Sequence, residues 1–386
     1  MVTERTAAIV GGGISGLSTA VALRQIGIEA TVYERAPALT DVGAGISLWP
    51  NATRALRRLG VLDRLLETAG RIEALNVRDA QGRLFFRSPV SDYDAPSVCA
   101  YRPDLIGALR AALPPDALQT GKPLETVDAL ETISASGDRA RLTFRDGTTA
   151  EADFVVGADG IRSVVRTHVT GETTDPVYRG YVVWRGIGPL PAAYTPGEIT
   201  ETWGHGARFG LLDVGGGRAY WYATANRPES ETDTTPDARK AEILSLFGSW
   251  HDPMAEVIRA TPASAILRGG TYDRPARRPW SRGRAVLVGD AIHPMTPNLG
   301  QGGCFAIEDA LSLARALSES STLPDAFSAF ERARYRRAAR VTRESLWTGR
   351  LGQLDGPLAT LRDAATRLTP GPVYARRLAW LYKYQT

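Results

Sequence analysis

Short apolar runs that end in glycine-rich or acidic turns recur along this chain. They occupy residues 7–10, 29–33, 152–156 and 284–288, and a helical pattern of apolar positions follows the first of them at residues 17–23. Buried parallel strands have continuous apolar runs of this length, and helices between them complete a strand–helix–strand unit. The pattern therefore predicts an α/β fold with a parallel sheet.

The pattern changes between residues 171 and 280. Residues 178–187 and 198–226 are rich in aromatic and β-favouring side chains, with a hairpin signal in the glycine run at residues 214–217. These features predict a mostly antiparallel sheet inserted into the α/β part.

The first turn has the spacing of a dinucleotide-binding loop. Gly11 permits the tight turn, Gly13 lets the backbone approach a pyrophosphate, and Gly16 lets the following helix pack on the strand. The helix N-terminus offers unpaired N–H groups to phosphate. Glu34 ends the second strand, where a carboxylate can accept hydrogen bonds from a ribose. A glycine turn without a ligand is the alternative, and the motif alone does not separate NAD from FAD.

Two later strand ends favour FAD. The apolar run at residues 152–156 is followed by Asp159, and the run at residues 284–288 is followed by Asp290. Residues 300–303 then form a glycine-rich loop before a helix. Ligands in open α/β sheets bind at the carboxyl ends of strands, so three such ends can converge on one long cofactor. The amides at the last helix can stabilise an anionic flavin ring.

Together these motifs resemble the group A flavoprotein monooxygenases, of the para-hydroxybenzoate hydroxylase type, over nearly the whole chain. The resemblance implies non-covalent FAD, transient NADH or NADPH, and oxygen transfer from O₂ through a hydroperoxide at flavin C4a. The implied substrate is an aromatic or heteroaromatic small molecule.

The resemblance also implies a domain plan: a Rossmann-like FAD-binding domain of the glutathione reductase type, an inserted substrate domain and C-terminal helices. The FAD-binding domain is expected from residues 1–70, 98–170 and 281–330, the substrate domain from 71–97 and 171–280, and the helical segment from 331–386.

By the same resemblance, individual residues are expected to contact the cofactor. Those at the ADP half are Gly11, Gly13, Gly16, Glu34 and Arg35. Arg102 is expected near the pyrophosphate, Asp159 in a motif that serves both FAD and the pyridine nucleotide, and Asp290 at the ribityl chain or pyrophosphate. Those beside the flavin ring are residues 43–46 with Gly45 and Ile46, Pro294, Gly300, Gln301, Gly302 and Gly303.

Three hairpin residues are candidates for substrate binding. If the turn is centred on Gly215, Arg208 lies opposite Tyr222 and diagonal to Tyr220, all on one face. The alternative is that both tyrosines are core rings and Arg208 a surface charge. Flavin-dependent urate hydroxylases carry an arginine and a tyrosine at the spacing of Arg208 and Tyr220, but the hairpin also resembles the carotenoid-epoxidase branch, so the substrate stays open.

Two other functions remain open from the sequence. One is a same-fold epoxidase or reductase acting on an isoprenoid or polyene double bond. The other is a flavin-binding redox sensor without turnover. Stoichiometric consumption of O₂ with NAD(P)H, together with product formation, would separate a monooxygenase from a reductase and from a redox sensor.

Composition adds mainly exclusions. Two cysteines are too few for a disulfide framework, and the four histidines lack metal-ligand spacing, so we expect no metal. No apolar run is long enough to cross a membrane, and no nucleic-acid module is recognisable. We expect a cytoplasmic monomer or homodimer.

The basic residues gather late in the chain. Six arginines fall on several faces of a predicted helix, so we expect a solvated surface: Arg332, Arg334, Arg336, Arg337, Arg340 and Arg343. The terminal segment 374–384 is expected to pack as a helix over a domain seam, with a weak membrane contact as the alternative.

Overall fold

The structure, a computed structural model, describes residues 5–39, 44–90, 93–128, 139–229 and 235–385. Residue 43, expected beside the flavin, lies outside these ranges. The strands of the described residues are β1 (Thr6–Val10), β2 (Glu29–Tyr33), β3 (Gly45–Leu48), β4 (Gly70–Ile72), β5 (Ala74–Asp79), β6 (Leu84–Pro89), β7 (Ser97–Tyr101), β8 (Leu118–Gln119), β9 (Leu124–Asp128), β10 (Ala140–Phe144), β11 (Thr149–Ala152), β12 (Phe154–Gly157), β13 (Val177–Pro189), β14 (Glu198–Trp203), β15 (Ala207–Asp213), β16 (Arg218–Asn226), β17 (Leu267–Asp273), β18 (Ser281–Arg282) and β19 (Ala285–Leu287). The helices are α1 (Ile14–Gln25), α2 (Pro50–Arg58), α3 (Leu62–Leu66), α4 (Arg102–Ala111), α5 (Val164–Thr170), α6 (Pro236–Phe247), α7 (Met254–Ala260), α8 (Gly302–Glu319), α9 (Leu323–Gly352), α10 (Gly356–Arg367) and α11 (Gly371–Tyr382).

The predicted parallel sheet is present. Its strand order is β18-β19-β12-β1-β2-β8, and every pair is parallel except β18 with β19. Strands β19, β12 and β1 are therefore neighbours. Because parallel strands end at the same edge, the three turns that follow them meet there, as the sequence predicts.

The second large sheet has the order β17-β13-β16-β15-β14-β5-β6 and is antiparallel except where β14 pairs with β5. Trp184, Phe209 and Trp221 lie on its buried face, in one cluster with Phe247 of α6 and Val257 of α7. Side chains alternate between faces along a strand, so their neighbours point to the other side. The strands from residues 71–97 and 171–280 share this sheet, and the division into domains stays a prediction.

Two of the six late arginines are buried, so the expectation of a wholly solvated cluster is wrong. Arg334 of α9 donates to Asp309 at 2.7 Å and forms an ion pair with Glu308, and Arg337 donates to Glu308 at 2.8 Å. Both acids lie on α8, which packs along α9. Buried arginines are tolerated because each meets a carboxylate of opposite charge.

The last helix, α11, packs on the protein as predicted. Leu378 and Leu381 are buried, the ring of Tyr374 lies 4.7 Å from that of Phe86 on β6, and the ring of Tyr382 stacks at 5.1 Å on Trp49. No helix among the described residues combines the length and apolar character that a bilayer span requires.

Candidate active site

The loop after β1 is closed on the inside and open on the outside. Gly11 has a φ of 108°, and a Cβ there would lie 2.4 Å from the carbonyl oxygen of Ala158. A Cβ on Gly13 would meet nothing within 4 Å among the residues that the structure describes. Helix α1 begins directly after Gly13, and no side chain caps its first N–H groups. Open space in front of an uncapped helix N-terminus is the arrangement that a pyrophosphate needs.

Glu34 braces this loop. Its Oε2 accepts a hydrogen bond from the Gly12 N–H at 2.6 Å, and its Oε1 accepts from the Ala36 N–H at 2.8 Å. A carboxylate has about four lone-pair sites, so these two bonds leave capacity for ribose hydroxyls. Arg35, the next residue, is exposed.

Asp159 and Asp290 occupy different environments at the same edge. Asp159 accepts from the Val164 N–H at 2.7 Å and from the Ser163 hydroxyl, so it holds the start of α5. Asp290 lines a cavity. Desolvation by the surrounding protein raises the pKa of its carboxyl, and the charges of His293 and Arg102 oppose that rise. The Nε2 atom of His293 lies 2.6 Å from Oδ2 of the buried Asp309, and this contact fixes the position of the His293 ring.

The cavity has a volume of about 550 Å³ and lies between the free face of the second sheet and two segments, residues 45–46 and 294–303, that are expected at the flavin ring and that we call the flavin-ring loops. It brings together part of the predicted site, namely Gly45, Ile46, Arg208, Tyr220, Tyr222, Asp290, Pro294, Gly300, Gln301, Gly302 and Gly303. The residues expected at the ADP half and pyrophosphate lie outside it, namely Gly11, Gly13, Gly16, Glu34, Arg35, Arg102 and Asp159.

Tyr220 joins the two sides of the cavity. A Cβ on Gly45 would lie 2.4 Å from its ring, so the ring packs directly on the backbone of β3. Burial raises the pKa of the Tyr220 hydroxyl, although the charge of Arg185 opposes the shift. Tyr220 is therefore a neutral phenol at pH 7. Arg185, which lines the cavity from β13, was missed by sequence analysis.

The predicted register of the hairpin is wrong by two residues. Arg208 pairs with Thr224, while Tyr222 pairs with Gly210 and Tyr220 with Leu212. The pairing of Asp213 with Ala219 centres the turn on Gly216, and Gly215, Gly216 and Gly217 all have positive φ. A shift of two residues keeps every side chain on its face, so the shared face of Arg208, Tyr220 and Tyr222 is confirmed.

Arg208 is a buried cation with assigned partners, which excludes the surface-charge alternative. It is 3% exposed, and its Nε donates to Gln353 at 3.0 Å and its Nη2 to Asn298 at 2.6 Å. Its Nη1 lies 3.6 Å from Glu201. Burial disfavours its charge, but Glu201 and two phenols outweigh this and raise the pKa of Arg208.

Glu201 is the main site residue that sequence analysis missed. It lines the cavity from β14 and accepts hydrogen bonds from the Tyr222 hydroxyl and the Trp203 indole N–H. Burial and the charge of Glu201 raise the pKa of Tyr222 well above its usual value. Alternation along β14 places Glu201 and Trp203 on one face, but only the pairing with β15 brings them to Arg208.

Buried polar atoms near the glycine loops also fit a cofactor. The Gln301 side-chain nitrogen, just before α8, and the Ser15 hydroxyl, in the first turn of α1, have no hydrogen-bond partner among the described residues. Buried polar groups are usually satisfied, so unpaired ones beside both loops are consistent with a ligand that supplies partners. Together with the open space at Gly13, they match the polar, elongated shape of FAD.

The fold and this site define a dinucleotide-binding flavoprotein, and comparison with known proteins specifies it. The family described as "FAD binding domain" matches residues 4–345. Aurachin C monooxygenase/isomerase of Stigmatella aurantiaca is 41% identical over 364 residues, covering 93% of this chain and 92% of that protein. The 3-amino-4-hydroxybenzoate 2-monooxygenase of Streptomyces cremeus is 37% identical over 388 residues, covering 97% and 94%.

Among solved structures, Klebsiella pneumoniae HpxO complexed with FAD and uric acid has a TM-score of 0.89 and 28% identity, over 98% of this chain and 96% of that one. The chain belongs to the FAD-binding family of flavoprotein monooxygenases. The predicted fold class, the FAD cofactor and the assignment as a monooxygenase are thereby confirmed.

Proposed function

We propose that this monooxygenase consumes NADH or NADPH and inserts one oxygen atom from O₂ into a planar aromatic or heteroaromatic molecule bound in the cavity. The observation that carries the proposal is that one cavity is lined both by the flavin-ring loops and by Arg208, Tyr220 and Tyr222. FAD, when bound, supplies the reduction of O₂ and the oxygen transfer. The protein supplies orientation and exclusion of water.

The cofactor contacts extend this proposal. The ADP half would be held at the loop of β1 and the end of β2, through Gly11, Gly13, Gly16, Glu34 and Arg35. Arg102, Asp159 and Asp290 would serve the pyrophosphate and ribityl region, and Gly45, Ile46, Pro294 and residues 300–303 would lie at the ring.

The polar wall suits a ligand with hydrogen-bonding edges. The charge of Arg208 is balanced by Glu201, so this part of the wall offers directional bonds without a large net charge. The Tyr222 hydroxyl donates to Glu201, which leaves its lone pairs to accept from a ligand N–H or O–H. Heterocycles and hydroxylated rings present such groups, as do uric acid and 3-amino-4-hydroxybenzoate in the related proteins.

The test measures stoichiometry. The flavin-loaded protein is given NADH or NADPH with uric acid, 3-amino-4-hydroxybenzoate, and a 2-alkyl-4(1H)-quinolone, and O₂ uptake, H₂O₂ and product are quantified. We expect at least one compound to accelerate NAD(P)H oxidation and to yield one hydroxylated product per O₂ consumed. Product formed without O₂, or flavin reduction that no aromatic compound accelerates, contradicts the proposal.

A further inference from the structure

The cavity is much longer than one aromatic ring. Its lining includes side chains from six neighbouring strands, in the order β17, β13, β16, β15, β14 and β5. Adjacent strands lie about 4.8 Å apart, so the lining crosses roughly 24 Å of sheet. Two contacts place part of the flavin-ring loops over β16 and β17: Gly45 packs on Tyr220 of β16, and the Pro294 carbonyl accepts from the N–H of Arg274, just after β17.

The polarity of the lining changes along this axis. Strands β13 to β14 carry Arg185, Tyr220, Arg208 and Glu201, in that order across the sheet. Beyond Glu201 the lining becomes apolar. We call this end the apolar wing; it consists of Leu75 and Val77 of β5, Ile199 of β14, and Tyr374 and Leu378 of α11.

The roof of the apolar wing is firmly attached. Near its start, α11 packs on β6 through the Tyr374 and Phe86 rings, 4.7 Å apart. Near its end, Tyr382 stacks on Trp49, and Arg337 donates to the Leu381 carbonyl at 3.0 Å. Tyr374 lines the same cavity as Glu201, and burial together with the charge of Glu201 raises the pKa of the Tyr374 hydroxyl to about 12. The wing is therefore a continuous extension of the same cavity.

We infer that the substrate is amphipathic, with an aromatic head beneath the flavin-ring loops and an aliphatic chain of several carbons in the apolar wing. This inference rests on the proposed function. A single polar ring held by Arg208, Tyr220 and Tyr222 would leave the wing in contact with water, whereas an attached chain would remove the apolar surfaces of both ligand and protein from water.

The test measures binding rather than turnover. Two probe series, alkyl 4-hydroxybenzoates and 2-alkyl-4(1H)-quinolones, are titrated from methyl to heptyl into the FAD-loaded protein without NAD(P)H, and Kd is read from the flavin absorbance. A fully buried methylene strengthens binding about fourfold. Because chain ordering offsets part of this gain, we expect at least a tenfold lower Kd for heptyl than for methyl in one series.

Variants locate the chain. Leu378→Trp and Leu75→Phe fill the apolar wing from opposite walls and should bring the methyl-to-heptyl ratio of Kd close to one. Leu361→Trp is the matched control, because Leu361 is 67% exposed on α10 and lies outside the cavity. It should keep the wild-type ratio. FAD content and thermal midpoint report whether each variant is folded.

Two results overturn the inference: no dependence on chain length in either series for the wild type, or a wild-type ratio retained by both wing variants. Full coupling with a short-chain aromatic and no chain dependence would overturn the inference and leave the proposed function intact. Chain-dependent binding without any oxygenated product would support the inference about the substrate's shape and contradict the proposed function.

Discussion

The carboxylate of Glu201 accepts a hydrogen bond from the hydroxyl of Tyr222, and both groups lie in the cavity wall. This bond uses the hydroxyl proton of Tyr222, so its oxygen is left to act as a hydrogen-bond acceptor toward the cavity. The same carboxylate lies 3.6 Å from Arg208 and balances its charge. Glu201, Tyr222 and Arg208 therefore form a connected set in the cavity wall, in which the loss of one side chain changes the surroundings of the other two.

Gly13→Val should abolish FAD binding while leaving the fold intact. The Cβ of the new side chain would meet no atom of the described residues within 4 Å, and it would occupy the space in front of α1 that is proposed for the pyrophosphate. Flavin content and a fluorescence titration with FAD measure the loss, and circular dichroism monitors the fold.

Gly107→Val is the matched control for that experiment. Gly107 lies in α4, and a Cβ there also meets none of the described residues within 4 Å. This variant should bind FAD like the wild type. Normal FAD affinity in folded Gly13→Val would place the pyrophosphate elsewhere.

Arg208→Gln should uncouple NAD(P)H oxidation from hydroxylation. A misplaced substrate can lose on the order of a hundredfold in rate, whereas release of H₂O₂ needs no substrate position. The measurement is the ratio of product to NAD(P)H consumed, with H₂O₂ quantified in parallel. FAD content should change little, since Arg208 lies on β15 of the second sheet and is not among the residues proposed to contact FAD.

Tyr220→Phe tests the same wall, and Arg227→Gln serves as the control. Arg227 follows β16 directly and is a half-exposed arginine paired with Glu242 at 3.3 Å. The Arg227→Gln variant should keep the wild-type ratio of product to NAD(P)H consumed. If Arg208→Gln and Tyr220→Phe both keep wild-type coupling and substrate affinity, these residues have no role in holding the substrate.

Arg334→Leu should destabilise the protein by about 3–5 kcal/mol, because it leaves buried carboxylates without their main counter-charge. Arg334 is fully buried against Glu308 and Asp309. Arg336→Leu, on the exposed side of the same helix, should change the free energy of unfolding by less than about 0.5 kcal/mol. Urea denaturation compares the two. Equal stability of both variants would show that the buried network contributes nothing.

Acid should weaken the protein partly through Asp309. Burial alone would raise the pKa of this carboxyl, but the charges of His293 and Arg334 lower it to about 2. The pKa of an aspartate in the unfolded chain is about 3.9. Since the folded pKa is the lower one, the stabilising contribution is complete above the unfolded pKa and is lost as pH falls toward 2. The free energy of unfolding should fall less steeply between about pH 5 and 3.5 in Asp309→Asn than in the wild type. An identical slope would assign the acid sensitivity to other groups.

The cofactor half of this protein is determined by local sequence. The turns after β1, β12 and β19 depend on residues within a few positions of each other, and short apolar runs mark the strands that carry them. Glycine spacing and strand periodicity are local properties, so they predict the parallel sheet, the loop at Gly13 and the flavin. The shared face of Arg208, Tyr220 and Tyr222 also follows from period-two alternation along two adjacent strands.

Only the tertiary structure decided the surroundings of those residues. Arg208 meets Asn298 and Gln353 across 90 and 145 positions of sequence, and Glu201 reaches it only through the pairing of β14 with β15. Tertiary structure also decided three further features. These are the burial of Arg334, the two-residue shift of the hairpin register, and the position of α11 over the apolar wing of the cavity. Each depends on which elements become neighbours and on which distant charge can offset the cost of burial, and neither is encoded in the spacing of residues along one segment.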